Sequence, residues 1–62
     1  MTNVKCYWLM WKGGLCPVNR GQLVDVELRS GVVLRDIAGN FVWHNIEYNW
    51  PFDIVRFRAV FE

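Results

Sequence analysis

The stretch from Leu23 to Ile37, LVDVELRSGVVLRDI, alternates apolar and charged residues on both sides of Ser30-Gly31. Period-two alternation marks a strand with one buried face, and a glycine between two such runs marks the turn that joins them. Val24, Val26 and Leu28 therefore share one face, with Asp25, Glu27 and Arg29 on the other. In the returning strand Val32 and Leu34 lie on one side, and Val33, Arg35 and Ile37 on the opposite one. Gly31, at the second turn position, supplies the positive φ that two-residue hairpin turns require. Such a hairpin commits the chain to a β architecture.

The flanking segments read the same way. Val4 to Trp11, VKCYWLMW, is aromatic-rich, lacks helical spacing and stops before Gly13-Gly14, which predicts a first strand buried on both faces. Leu15 to Gln22 holds Pro17, Asn19 and Gly21 and reads as a surface connection, with Cys16-Pro17-Val18 extended. Ala38-Gly39-Asn40 is a turn, Phe41-Val42-Trp43-His44 a short strand, and Asn45 to Pro51 a loop. From Asp53 to Phe61 a last strand sets Val55, Phe57, Ala59 and Phe61, the face expected to close the core, against Ile54, Arg56, Arg58 and Val60. The expectation is a single all-β domain over residues 1–62, with about five strands arranged as a small SH3-like barrel or a strongly bent antiparallel sheet.

A chain this short buries only about 60% of the surface it exposes when unfolded. Its answer is composition: 53% hydrophobic residues, with four tryptophans, four phenylalanines and two tyrosines, each able to bury roughly 150–250 Å². Either a compact barrel encloses most of that surface, or part of it covers a partner or a second copy. Seven basic and six acidic side chains are interspersed for a net charge of +1, which argues against long-range steering toward nucleic acid or an acidic membrane. The longest apolar run near the start, Cys6 to Trp11, is too short for a membrane span and has no signal-type cleavage region after it. A soluble intracellular protein without membrane association is expected.

Chemistry-bearing residues are sparse. Cys6 and Cys16, with nine residues between them, do not have zinc-knuckle spacing, and His44 adds one candidate ligand only, so neither metal nor cofactor is implied. Reduced thiols are the expectation, with a Cys6–Cys16 disulfide as the alternative. Asp25 and Glu27 resemble a carboxylate pair, but their place beside Arg29 and across from Arg35 predicts cross-strand ion pairing on a solvated surface. His44 reads as a hydrogen-bonded structural histidine, and no catalytic residue is assigned. For binding, Trp43, Tyr48, Trp50 and Arg58 combine the side chains favoured at protein interfaces, whereas Trp8 and Trp11 are assigned to the core. Arg56 and Arg58 with Tyr48 and Trp50 also resemble the basic-aromatic surface of single-strand nucleic-acid binders.

Gly13-Gly14-x-Cys16-Pro17-Val18, Gly21-x-x-Val24-x-Val26-x-Leu28-Arg29-x-Gly31, Ala38-Gly39-Asn40-Phe41-x-Trp43 and Asp53-Ile54-Val55-x-x-Arg58 together resemble small proteins of tailed bacteriophages and prophages. The likeness spans Trp11 to Val60 and rests mostly on turn and core positions. It implies a β fold, a phage origin and hence a place in the host bacterial cytoplasm, and it carries no catalytic residue. Ser30 stands where that pattern has aspartate, Phe57 where it has tyrosine, and the Tyr48-Asn49-Trp50 loop is more aromatic than usual. The functional expectation is a non-catalytic phage or prophage accessory protein that contacts its own copy or a host or phage protein. Weak single-stranded nucleic-acid binding is the alternative.

Overall fold

The computed structural model describes residues 7–44 and 50–61. Residues 4–6 of the expected first strand, Cys6 among them, and residues 45–49, with Tyr48, lie outside that description. Among the described residues four strands form one open antiparallel sheet: β1 (Leu9–Met10), β2 (Leu23–Leu28), β3 (Val33–Ile37) and β4 (Ile54–Ala59), in spatial order β1-β4-β2-β3. The protein is all-β. A 3₁₀ turn, Ala38–Asn40, follows β3 where a turn is expected. Phe41 to His44 is not the expected further strand, because it makes no ladder pairing among the described residues.

The β2–β3 hairpin follows the alternation, with Leu23 opposite Ile37 and Glu27 opposite Val33. Its turn differs from the two-residue form. Leu28 N–H donates to Val32 O at 2.9 Å and Gly31 N–H to Leu28 O at 2.8 Å, so Arg29, Ser30 and Gly31 make a three-residue loop. Gly31, at φ +96°, occupies the position where the chain must turn back with a left-handed residue.

Strict alternation fails in β4 for a local reason. Asp25 pairs with Arg58, Val26 with Phe57 and Glu27 with Arg56, but Leu28 pairs with Ile54, leaving Val55 as an extra residue. This bulge turns Ile54 inward beside Phe57, although unbroken alternation sets them on opposite faces. Phe61, expected on the core-closing face, is exposed.

Val24, Val26, Leu28, Ala38, Trp43, Ile54 and Phe57 form the core, with Trp11, Cys16, Val18 and Phe41 packed against it. Its centre is aromatic. Trp11, Trp43 and Phe57 meet pairwise edge-to-face at centroid distances of 5.4–5.7 Å, the arrangement in which positive ring edges face negative ring faces. Both tryptophan donors are satisfied, Trp43 Nε1–H by Ala38 O at 2.8 Å and Trp11 Nε1–H by Trp43 O. Gln22 closes the far end, its amide donating to Leu23 O and Val60 O, each at 2.9 Å.

The described part of the first strand is not buried on both faces as the sequence suggests. β1 is an outer strand with β4 as its neighbour, and Leu9 and Met10 are exposed. The opposite outer strand, β3, is exposed along its whole length, Leu34 at 43% even though it lies on the core side. The core is therefore carried by the two central strands, β2 and β4.

Candidate interaction surface

The five residues singled out for binding do not form one surface. Trp43 is 3% exposed and belongs to the core, because the 3₁₀ turn carries the chain back over the sheet and supplies the carbonyl that its indole needs. Tyr48 lies outside the described residues. Trp50 is 49% exposed and sits on the core side of the sheet, beyond Leu28 and Ile54. Arg56 and Arg58 project from the other side, in register with Glu27 and Asp25.

On that outer side the charges are largely matched. Arg35 clamps Asp25 through Nε–Oδ1 at 2.7 Å and Nη2–Oδ2 at 3.1 Å, and Arg58 Nε reaches Asp25 Oδ2 at 2.9 Å. Arg56 pairs with Glu27. Trp8 lies under both arginines, with the guanidinium carbons of Arg58 and Arg56 4.7 and 5.9 Å from its ring centroid. The cross-strand pairing of Asp25 with Arg35 agrees with the expectation, but its setting does not. Asp25 is buried rather than solvated, since two arginines and the sheet enclose it, and Arg29 pairs with Asp53 instead. The Arg35 hydrogen bond, aided by Arg58 and opposed by burial, holds the Asp25 carboxyl below the usual carboxylate range.

The core side opens into a groove of about 370 Å³ between Leu34 of β3 and the segments 40–44 and 50–54. Leu28 and Ile54 form its floor, Phe41, Val42 and His44 one wall, and Trp50, Phe52 and Asp53 the other. The second wall is shaped by a turn in which Asp53 N–H donates to Trp50 O at 3.0 Å. Ser30 N–H to Pro51 O and Arg29 N–H to Asp53 O, at 3.1 and 2.8 Å, fasten that turn to the hairpin loop. Trp50 and Phe52 stand edge-to-face at 5.8 Å on the rim. Asp53 is buried, and its Oδ2 has no hydrogen-bond partner, the Arg29 guanidinium lying 3.6 Å away.

Sequence reasoning finds Trp50 and misses Leu34, Val42, Phe52 and Asp53. Leu34 carries a usable signal, because Val32-Val33-Leu34 is an apolar run too long for one buried face. Val42, Phe52 and Asp53 carry none, since chain crossing rather than periodicity brings them together. Cys16 is a free thiol whose Sγ lies 3.3 Å from the Val18 carbonyl. Among the described residues no cluster of three or more His, Cys, Asp or Glu side chains is placed to hold a metal ion, and no helix is long and apolar enough to cross a membrane. Comparison with known protein families, with curated proteins and with solved structures finds no match to this chain.

Proposed function

We propose that this chain is a non-catalytic protein-interaction module that works through the groove beside β3, encoded by a phage or prophage and acting in the host cytoplasm. The observation that carries the binding reading is the exposed apolar lining of Leu34, Val42, Trp50 and Phe52 next to an outer strand, β3, exposed at every residue. Exposed apolar patches with aromatic anchors are the usual mark of protein contact sites. The likeness to small phage proteins supports the origin. Single-strand nucleic-acid binding draws on Arg56 and Arg58 stacked on Trp8, but both guanidiniums already serve Glu27 and Asp25.

Affinity purification of the tagged chain from bacteria tests this reading. A protein species, its own copy included, is expected to stay bound at about 1 M salt, where charge–charge attraction is screened within about 3 Å, and to be lost from Leu34→Asp. Recovery of nucleic acid that salt releases would replace this reading with the alternative.

A further inference from the structure

We propose that the Asp36 side chain closes the outer edge of β3, so that other chains can meet this side of the sheet through side chains but cannot extend it by adding a strand. The inference does not depend on the groove being a binding site, since it concerns the strand beside it. β3 is the kind of strand that invites addition. It is an outer strand, exposed at every residue, and Val33, Leu34 and Ile37 give it three apolar side chains in five, two of them β-branched. Among the described residues no strand pairs with its far side. An edge with those properties is a template for a second copy or for an extended segment of another protein.

The ladder fixes which main-chain groups face that edge. Leu28 N–H donates to Val32 O, and Ala38 N–H to Gln22 O, so the even-numbered residues of this segment turn their main-chain groups toward β2. Successive residues of an antiparallel strand point theirs to opposite sides, which sends those of Ile37 to the outer edge. There the Ile37 N–H is already engaged, donating to Asp36 Oδ1 at 2.7 Å. A strand arriving at this end of β3 must displace the carboxylate from its donor, and must then lie over it. Asp36 stands opposite Val24, on the face of the sheet that carries the core. Covering it there takes an ionised side chain out of water unless the newcomer brings a cation. A second copy brings none. In antiparallel pairing only residues on the same face become neighbours, and on that face β3 offers Leu34 and Asp36, while Arg35 is on the other. A charge on the inward side of an edge strand is a recurrent barrier to edge-to-edge pairing.

Amide hydrogen exchange by NMR, with sedimentation of the full chain between about 1 μM and 1 mM, tests the closure. In the wild type the Ile37 amide is expected to exchange at least about tenfold more slowly than in an unstructured peptide, at a rate that protein concentration does not change. Asp36→Val removes the acceptor and the charge together. It is expected to raise the self-association constant at least about tenfold, with Ile37 exchange slowing further as concentration rises, because a second strand now holds that N–H. Asp36→Asn keeps a side-chain oxygen in place and should stay nearer to wild type than the valine variant does. The buried Trp43 indole signal reports that each variant is folded, and Asp36→Ala takes the place of the valine variant if valine prevents folding. The proposal is overturned by a valine or alanine variant that associates no more tightly than wild type, or by association that leaves Ile37 exchange unchanged. A wild-type Ile37 amide that exchanges as fast as in an unstructured peptide, or that concentration protects, overturns it as well. Association through the groove leaves the edge amides as they are, so the same exchange data tell the two apart.

Discussion

Asp25 shows how a single side chain changes meaning between sequence and structure. As one charge in an alternating strand it reads as a solvated partner for Arg35, yet Arg58 from β4 closes over it as well. The sheet order places β2 between β3 and β4, so an outward-facing residue at its centre receives neighbours from both sides. Asp25→Asn should lower stability by about 1–2 kcal/mol in denaturant titration, since charge-assisted hydrogen bonds are lost while Arg35 and Arg58 remain partly hydrated. The pH dependence has a definite sign. Because the folded carboxyl is held below its ordinary value, its contribution is complete above about pH 4 and is lost as pH falls through the lower folded value. Acid titration of wild type should therefore lose more stability below about pH 4 than the same titration of Asp25→Asn. Trp43 makes the opposite point: an apparent interface anchor is the keystone of the core. Its replacement by alanine should cost about 3–5 kcal/mol, enough to abolish dispersed NMR signals in a domain this small.

At the level of elements, the hairpin was legible because Val24, Val26 and Leu28 agree with one register and one apolar face. Its loop was less legible, since Ser30-Gly31 suits both two-residue and three-residue turns and only the pairing of Leu28 with Val32 separates them. Gly31 has open space around a would-be Cβ, so Gly31→Ala isolates the cost of a left-handed backbone. The expected loss is about 1–2 kcal/mol by thermal or chemical denaturation. Gly21, equally uncrowded but without a positive φ, provides the contrast: alanine there should be neutral or stabilising by up to about 1 kcal/mol. The β4 bulge was not legible. IVRFRA alternates well enough to hide it, and the register shift between Glu27 and Leu28 exists only once β2 is alongside.

For the whole molecule, the decisive fact is that two central strands and a cluster of three rings carry the core while both outer strands remain exposed. The apolar excess in the composition is thereby divided, part enclosed and part left around the groove. Leu34→Asp should leave the fold intact by circular dichroism, because Leu34 is nearly half exposed, and should abolish association through the groove. Retention of association at high salt by the wild type is the companion observation, as apolar contacts are not screened. Raised salt weakening the complex severalfold would instead point to the arginine-bearing outer face.

The sequence alone determined the β class, the hairpin and the inward set Val24, Val26 and Leu28, because side-chain alternation is a local property that one strand displays by itself. Tertiary structure decided which tryptophan is core and which is rim, that Ile54 turns inward, that Asp25 is enclosed by two arginines and that Asp53 lines a groove. Each of those outcomes depends on which distant segment arrives alongside. A chain with no long-range pairing written into its period leaves that choice to packing.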